Sequence, residues 1–473
     1  MKNGVNEETG YLECYVKIPL KQFTNENHTI LSLRIDTRLV PMGKAVSSVA
    51  EWWAVDCGIT PAYVSDDCRK PLYSFWYSYH QDVTTQSMLA ECQRAKAIGF
   101  DIVKIVDGWQ TDDTKLGYAY CGDWEPATSK IPDMRKLANG IHALGMKYIL
   151  WYSVPFVGVN SKNYAQYKNM ALRFQGQHNE IAVIDPRYKA VRDFLTNVYL
   201  SALRDWQPDG IRLDFIDSWK EHSANAPYNP DMDTPSLYDA VNLFLNESMS
   251  AMKEVNPDLM FEFRQGYVGP IMRKYGNIFR VADCPDDYLS NRVGVFDLRM
   301  LELDSAVHSD MLMWHPDEKP ETAALQIINV IFSTMQYSAK LENMTPGTYE
   351  MSKFWLTFMK EHEKLLLCSP LVSYDAQLLY TWAKATDESE CMVAVYAPNH
   401  CVHPDAKKTI YLANGCMSDR ILLDLKGKYS VTVFNCMGHC LSFESSRTFI
   451  GFSSLIVPTS GLIVLKSIPE CSS

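Results

Sequence analysis

Three aspartates stand at the ends of short apolar runs in the middle of the chain. Asp107 ends the run IVD, Asp214 the run IRLD and Asp283 the run RVAD. Arg212 lies two residues before Asp214, so the two share a face if this segment is a strand. A neighbouring cation favours the ionised form of a carboxyl group, which is the form that a nucleophile needs. Asp283 follows two apolar residues, and we expect that setting to raise its pKa, as a general acid requires.

Tryptophans occur at the same kind of position. Trp76, Trp109 and Trp151 lie at or just past the ends of apolar runs. Two carboxylates from different strand ends, surrounded by aromatic rings, are the groups that glycoside hydrolysis uses. Two simpler explanations stay open, because an acid at a strand end can cap a helix or pair with a base, and a tryptophan can pack in the core.

The segment 71–368 alternates short apolar runs with amphipathic helical stretches, which is the pattern of βα units. Nine strands are predicted, at residues 73–77, 102–106, 148–154, 181–184, 210–215, 259–263, 278–282, 311–314 and 337–341. Helices are predicted at residues 84–98, 134–145, 187–205, 235–254 and 321–335. The fold class is therefore α/β, a (β/α)8 TIM barrel with one surplus strand and an active site at the C-terminal strand ends. A doubly wound sheet stays an alternative, although no glycine-rich phosphate loop follows any strand.

The two flanks differ from the middle. Residues 1–70 read as a short N-terminal β segment with extended pieces at 11–19 and 30–42. After Ser369-Pro370, alternating strands with turns between them predict a C-terminal antiparallel β-sandwich over residues 369–473. We therefore predict three domains, of which the barrel at 71–368 is the catalytic one.

Composition limits the partners. The 473 residues include 45 Lys and Arg against 56 Asp and Glu, a net charge of −11, which argues against nucleic-acid and anionic-membrane partners. No apolar run approaches the roughly 20 residues that span a bilayer, and the start shows no apolar signal segment, so we expect a cytoplasmic protein. Thirteen cysteines without a CxxC pair indicate reduced thiols. We expect no metal and no other cofactor, and assembly into a homo-oligomer stays open.

Five stretches, in order along the chain, resemble the motifs of one enzyme family. They are YSFWYSYHQDVTTQSMLAECQRAKAIGFDIVKIVDGW, CGDWEPATSKIPDMRKLANGIHALGMKYILW, IDPRYKAVRDFL, DGIRLDF and FRVADCPDD. They are similar to segments of family 36 of the glycoside hydrolases, the melibiase or α-galactosidase family of clan D, including its DDGW, GDW, DYIKWD and SDN motifs. The resemblance extends over about residues 30 to 470. It implies that residues 181–184 form a loop element, so that Asp214 ends the fourth barrel strand and Asp283 the sixth.

The resemblance also implies an activity and roles. The activity is that of a retaining exo-α-glycosidase, foremost an α-galactosidase, acting on an oligosaccharide or glycoconjugate by double displacement. Asp214 matches the catalytic nucleophile, Asp283 the general acid/base, and Asp107 an aspartate that holds sugar hydroxyls. The other matched substrate-binding positions are Trp76, Trp109, Asp123, Trp124, Trp151, Arg212 and Arg264.

Two pocket positions depart from the family pattern. Val106 replaces the first aspartate of DDGW, and Arg212 replaces the lysine before the nucleophile; both positions bind galactose hydroxyls in the family. We predict that Arg212 takes over hydroxyl binding, unless it only neutralises the acidic mouth, and that Val106 faces the surrounding helices. The alternatives are an α-N-acetylgalactosaminidase or other α-glycosidase, a galactosyl transferase of the raffinose-synthase kind, and an inactive carbohydrate-binding protein.

The N-terminal flank departs from the family as well. Typical bacterial members carry a large β-sandwich before the barrel, whereas only about 70 residues precede it here. We therefore expect either a compact member of the family or a chain that starts inside a longer protein.

Overall fold

The computed structural model describes residues 2–15, 33–264 and 266–469. The chain divides into two units, residues 1–39 and 40–473. In the first unit, strands β1 (Lys2–Val5) and β2 (Leu12–Tyr15) pair antiparallel. The extended piece predicted at 30–42 is wrong for its described part: residues 33–41 form no strand. Helix α1 (Met42–Asp56) follows directly. Only two small residues, Ala50 and Ala54, mark the buried face of α1, so its pattern is weak. The rest of that piece, and most of the piece at 11–19, lie outside the described residues.

The barrel follows in alternating strands and helices. Its first part contains β3 (Leu72–Ser74), α2 (Trp76–Tyr79), α3 (Thr85–Ile98), β4 (Ile102–Ile105), α4 (Met134–Ala143) and β5 (Lys147–Ser153). A segment inserted after β5 contains three strands and one short helix. They are β6 (Phe156–Gly158), α5 (Tyr164–Tyr167), β7 (Ala171–Gln175) and β8 (Ile181–Ile184). These three strands form a small antiparallel sheet of their own. Residues 181–184 are therefore outside the barrel, as the family resemblance implied.

The second part of the barrel contains α6 (Lys189–Asp205), β9 (Gly210–Asp214), α7 (Leu237–Val255), β10 (Met260–Arg264), β11 (Ile278–Arg280), α8 (Tyr288–Leu301), β12 (Ala306–His308), α9 (Pro320–Asn329), β13 (Gln336–Tyr337) and α10 (Pro346–Glu361). The seven strands β3, β4, β5, β9, β10, β11 and β12 are parallel neighbours in that order, and the eighth strand, β13, pairs with β3. Parallel bridges from His308 to Thr334 and from Leu312 to Tyr337 join the remaining side. The predicted barrel is confirmed, and the doubly wound alternative is excluded.

One predicted barrel strand is wrong. The apolar run at 311–314 contributes only an isolated bridge at Leu312, and the seventh strand is Ala306–His308. This strand carries His308 in the barrel interior, where the Nδ1 atom accepts from Gln336 Nε2 at 3.0 Å and Nε2 lies 2.7 Å from the carbonyl oxygen of Cys68. A strand with a polar residue turned inward lacks the apolar signature by which buried strands are recognised.

A layer of polar side chains fills the barrel beneath the strand ends. The Lys104 Nζ atom donates to Glu262 Oε1 at 2.8 Å and to Gln336 Oε1 at 2.6 Å, and Gln336 Nε2 donates to Glu262 Oε2 at 2.7 Å. All three side chains are buried. Burial lowers the pKa of Lys104 to about 7, although Glu262 opposes the shift. Branched apolar residues dominate the interior of most such barrels, so this layer is an unusual support for whatever lies above it.

The predicted C-terminal β domain forms one curled sheet. Its strands are β14 (Leu371–Tyr374), β15 (Trp382–Thr386), β16 (Glu390–Val395), β17 (Cys401–Val402), β18 (Thr409–Asn414), β19 (Arg420–Phe434), β20 (Cys440–Ile456) and β21 (Leu462–Ser467). Most neighbours are antiparallel, as expected, but β16 with β18 and β17 with β19 are parallel. Alternation in a sequence identifies strands and their faces and leaves their partners undetermined. The domain boundaries near residues 70 and 368 stay predictions. Among the described helices, none has the length and apolar character that crossing a membrane requires.

The substitution Glu262→Gln should destabilise the protein by about 3–5 kcal/mol, because it leaves buried Lys104 without its counter-charge and removes one of the two carboxylates that pair with Arg212. The free energy of unfolding in urea at pH 7 measures the loss. Unchanged stability would show that the polar layer does not depend on this carboxylate.

The matched control is Glu302→Gln, the same substitution at another buried glutamate. Burial raises the pKa of Glu302 to about 7, opposed by the backbone N–H of Gly269, which donates to Oε1 at 2.5 Å. Because this pKa is above its unfolded value of 4.5, the stability that Glu302 contributes is complete below pH 4.5 and is lost as pH rises towards 7. Glu302→Gln should therefore stabilise the protein above pH 7, by about 3 kcal/mol at most.

Candidate active site

A pocket of about 180 Å³ opens at the C-terminal ends of the barrel strands. Its lining comprises Trp76, Lys104, Val106, Asp107, Tyr118, Trp151, Arg212, Asp214, Phe215, Arg264, Asp283 and Met311. Seven of the ten site residues predicted from the sequence are among them. The barrel thus brings residues that are more than 200 positions apart in sequence to one small cavity.

Asp214 is the last residue of β9 and the most strongly held carboxylate of the pocket. Its Oδ2 atom accepts from Trp151 Nε1 at 3.0 Å and from Arg212 Nη2 at 3.2 Å. Its Oδ1 atom accepts from Arg264 Nε at 2.6 Å and from its neighbour's backbone N–H, that of Phe215, at 3.0 Å. Burial alone would raise the pKa of Asp214, but Arg212 and then Arg264 outweigh it and hold the pKa at about 2. The carboxylate is therefore ionised at neutral pH, as a nucleophile must be.

Arg212 uses both ends of its guanidinium inside the protein. Nη2 binds Asp214, and Nη1 binds Glu262 Oε1. The side chain is buried. The arrangement supports the role of neutralising and orienting Asp214. Each terminal nitrogen carries two N–H groups, and Arg212 also lines the pocket, so hydroxyl binding by Arg212 stays a prediction.

Asp283 lies three residues past the end of β11 and also faces the pocket. Its Oδ1 atom accepts from Arg280 Nη2 at 2.6 Å, and its side chain is 48% exposed. The expectation of a raised pKa is wrong for this state of the pocket. Burial does act in that direction, but Arg280, followed by Arg212, lowers the pKa of Asp283 below its usual value. Local sequence showed two apolar neighbours and could not show that Arg280, three residues earlier, turns towards the carboxylate.

Asp107 is buried at the turn that follows β4. Two side-chain amides donate to it, Gln81 Nε2 to Oδ2 at 2.7 Å and Gln110 Nε2 to Oδ1 at 2.6 Å. Burial raises the pKa of Asp107, although both amides oppose the shift. Gly108 has φ of 113°, and a Cβ there would lie 2.5 Å from the Cα of Gln81. Only glycine lets the chain turn this closely against the residue that orients Asp107.

Val106 lines the pocket beside Asp107, contrary to the prediction that it faces the helices. Strand β4 ends at Ile105, so the alternation of faces stops one residue earlier than the sequence suggested. Two consecutive residues therefore face the same cavity, one apolar and one acidic.

The predicted tryptophans divide into two groups. Trp76 and Trp151 line the pocket, whereas Trp109 is fully buried behind it, where its Nε1 donates to the carbonyl oxygen of Trp151 at 3.0 Å. Trp124 packs against Trp109 with ring centroids 6.1 Å apart. Neither ring lines the pocket: both lie behind the residues that do. Their predicted position on the pocket surface is therefore wrong.

Asp123 is the third predicted residue outside the pocket lining. Its Oδ1 atom accepts from Ser161 Oγ at 2.6 Å, and its Oδ2 atom from the backbone N–H of Lys162 at 3.1 Å. The carboxylate thus organises the turn before α5. Aspartates commonly hold turns in this way, and the family motif alone did not reveal it.

The sequence did not predict several residues that shape the pocket. Tyr118, Phe215 and Met311 line it, and Tyr267 donates from its hydroxyl to the carbonyl oxygen of Leu213 at 2.7 Å. Phe215 could have been found from its place directly after Asp214. Tyr118 lies in a loop without a pattern, and Met311 looked like part of a strand. Among the described residues, no group of three or more His, Cys, Asp or Glu side chains could hold a metal ion.

The melibiase family model matches residues 58–275, which contain the first five barrel strands with Asp107 and Asp214. Two curated relatives match shorter stretches. The bifunctional α-galactosidase/sucrose kinase AgaSK of Mediterraneibacter gnavus is 25% identical over 171 residues, 34% of this chain and 18% of that protein. The α-galactosidase Mel36A of Lactobacillus acidophilus is 22% identical over 210 residues, 42% of this chain and 27% of that protein. The matches thus cover about a fifth to a quarter of these relatives.

Solved structures show the same fold. The α-galactosidase AgaA of Geobacillus stearothermophilus superposes with a TM-score of 0.65 at 17% identity, over 89% of this chain and 59% of that one. The α-galactosidase of Lactobacillus brevis gives 0.64 at 15% identity, over 91% and 59%. At such identities the superposition establishes the architecture, and the chemistry of the pocket has to be argued from its own residues.

The substitution Arg212→Lys should lower kcat/KM on every aryl α-glycoside tested by about tenfold, because one ammonium nitrogen would have to replace the two separate terminal nitrogens that bind Glu262 and Asp214. The ranking of the sugars should stay the same if Arg212 acts only on Asp214 and Glu262, which are the partners of its two terminal nitrogens. A changed ranking would support the prediction that Arg212 binds hydroxyls.

Proposed function

We infer that this chain, which belongs to the melibiase family of glycoside hydrolases, is a retaining exo-α-glycosidase and acts foremost as an α-galactosidase. The family model supports the class of chemistry. The size of the pocket supports the exo mode, because about 180 Å³ is small beside the roughly 300–1,000 Å³ of most ligand pockets. One terminal sugar would fit there, with the rest of an oligosaccharide or glycoconjugate outside.

One observation carries the proposal. Asp214 and Asp283, from the C-terminal sides of the fourth and sixth strands, line the same cavity. Glycoside hydrolysis uses two carboxyl groups that flank the bond to be cleaved, and a sugar-sized pocket with one carboxylate from each of two strands provides such a pair. A retaining mechanism needs about 5–5.5 Å between their carboxyl groups, because no water stands between nucleophile and sugar in the first step.

The mechanism follows from the state of each carboxylate. Asp214 is ionised and attacks the anomeric carbon, while protonated Asp283 gives its proton to the leaving oxygen. A glycosyl ester forms on Asp214, and Asp283, now ionised, takes a proton from the water that hydrolyses the ester. A bound sugar excludes water from Asp283 and so favours its protonated form. The ester removes the charge of Asp214 and lowers the pKa of Asp283 again, which suits its role as base.

Val106 affects which sugar the pocket prefers. Asp107, oriented by two amides, offers acceptor oxygens to sugar hydroxyls at the pocket wall. Beside it, Val106 presents an apolar surface. A charge-assisted hydrogen bond to a hydroxyl, worth roughly 1.5–3 kcal/mol, cannot form there. This observation favours a second candidate function, that of an α-glycosidase whose preferred sugar lacks a hydroxyl at the position next to Val106 or carries a modified one there.

A panel of aryl α-glycosides tests both candidates. The galactoside should be cleaved. The values of kcat/KM for the N-acetylgalactosaminide, the glucoside and the arabinopyranoside, compared with that for the galactoside, show which sugar the enzyme prefers. Proton NMR should show the α anomer as the first product. Product analysis with an added sugar acceptor separates hydrolysis from galactosyl transfer. Binding without turnover of any glycoside would instead indicate a carbohydrate-binding protein.

The substitution Asp214→Ala should abolish turnover of all glycosides, whereas Asp283→Ala should spare substrates with good leaving groups. A nucleophile is needed whatever departs, while protonation matters only when the leaving oxygen is basic. The comparison is kcat/KM on a dinitrophenyl glycoside and on a natural oligosaccharide. Equal losses on both substrates in the Asp283 variant would remove its role as acid.

The substitution Arg280→Met should move the basic limb of the pH profile of kcat/KM to higher pH. Arg280 lowers the pKa of Asp283, so its removal lets the protonated acid persist to higher pH. The measurement is the profile on an oligosaccharide, and Arg280→Lys, which retains the charge, should leave the limb nearly in place. A limb that stays fixed in the methionine variant would show that Asp283 does not set it.

A further inference from the structure

The nucleophile has no free lone pair in this arrangement of the pocket. A carboxylate offers about four acceptor positions, and Asp214 uses four for Trp151, Arg212, Arg264 and the backbone of Phe215. A fifth donor, the Tyr267 hydroxyl, lies 3.5 Å from Oδ1 and makes its shorter hydrogen bond to the carbonyl oxygen of Leu213. Attack on a carbon needs one of these positions. One donor must therefore leave Asp214 before the covalent bond can form.

All the donors but Arg264 are fixed. Tyr267 is buried and held by its bond to Leu213. The Phe215 N–H belongs to a backbone turn with φ of 64°, and the ring of Trp151 is buried. Arg212 is also buried and is anchored from below by Glu262. Arg264 differs from them. It is the last residue of β10, its side chain is 20% exposed, and it binds Asp214 through Nε.

A second acceptor lies next to Arg264. The Asp217 Oδ1 atom is buried and accepts no hydrogen bond from the residues that the structure describes. It lies 3.9 Å from Arg264 Nη2, beyond hydrogen-bond distance but within reach of a small rotation. The Arg264 guanidinium rests over the ring of Phe215, 5.1 Å from its centroid, and this ring provides a surface along which the flat group can slide.

We propose that Arg264 is a positioning residue that moves from Asp214 to Asp217 when a sugar enters the pocket. The move frees one lone pair of Asp214 Oδ1 for the anomeric carbon and gives the buried Asp217 oxygen the partner that it lacks. In the empty pocket the arginine keeps the nucleophile ionised but blocked. The proposal rests on the function inferred above, because it presupposes that Asp214 attacks a sugar.

The experiment measures the reactivity of Asp214 directly, with a cyclitol epoxide in the configuration of the sugar that the enzyme prefers. An Asp214 oxygen forms a bond to the epoxide carbon, the carbon–oxygen bond of the epoxide breaks, and the released oxygen takes the proton of Asp283. Mass spectrometry identifies the esterified residue, and the first-order rate constant at saturating reagent reports the labelling step. Binding of the reagent is read separately, as its half-saturating concentration.

We expect substitutions of Asp217 and of Arg264 to change the rate constant of labelling in opposite directions. Asp217→Asn removes the anionic acceptor and should slow labelling about tenfold, because Arg264 stays on Asp214. Arg264→Met removes the block and should accelerate labelling by about the same factor. In the double variant, Asp217→Asn should have no further effect, since its action depends on Arg264. Arg264→Gln carries the same test if the methionine variant does not fold.

The matched control is Asp231→Asn, which removes the same charge from the same loop after β9. The side chain of Asp231 is exposed and has no partner in the described part of the chain, so its rate constant should equal that of the unaltered protein.

The outcomes separate this proposal from the inferred function. Failure of the unaltered protein to form an ester at Asp214 would overturn the function. An ester at Asp214 together with an Asp217→Asn effect that is absent, or equal in both backgrounds, would overturn the movement of Arg264. Slower labelling in Arg264→Met would do the same, because it would mean that the arginine assists the attack.

Discussion

The carboxylate of Glu262 holds the floor of the pocket together. It accepts from Lys104 on the second barrel strand, from Arg212 on the fourth and from Gln336 on the eighth, and it is itself on the fifth. Four strands thus converge on one buried negative charge. Because Arg212 binds Asp214 with its other terminal nitrogen, the position and ionisation of the candidate nucleophile depend on a residue that no sugar can touch.

Charge balance explains why so many ionisable groups can be buried here. The cations Lys104, Arg212, Arg264 and Arg280 are matched by the anions Asp214, Glu262, Asp283 and Asp310. A buried ion costs several kcal/mol unless a partner lies beside it. The same pairing sets the chemistry, since the arginines that compensate Asp214 and Asp283 also lower both of their pKa values. Support and reactivity in this pocket are two effects of one set of contacts.

Sequence patterns predicted the parts of this structure that are local. The period of each βα unit indicated the barrel, and Asp107, Asp214 and Asp283 stood out because each ends an apolar run. What failed depends on where side chains lie in the folded protein. The seventh strand was misplaced because its inward residue, His308, is polar, and the shifted pKa of Asp283 depends on how Arg280 turns. Trp109 and Trp124 could not be told from pocket walls, since an aromatic ring one layer further back has the same sequence signature.

The place of Gln336 in the last barrel strand has a consequence for the order in which the protein can fold. Its amide completes the hydrogen bonds of both Lys104 and Glu262, and β13 closes the gap between β12 and β3. A nascent chain that has not yet emerged from the ribosome past residue 337 has seven strands around an unfinished polar layer. A half-satisfied buried network is less favourable than none, so the interior should stay hydrated until the eighth strand arrives. We therefore expect closure of this barrel to be a late step of its synthesis, because the polar layer is complete only when β13 is in place.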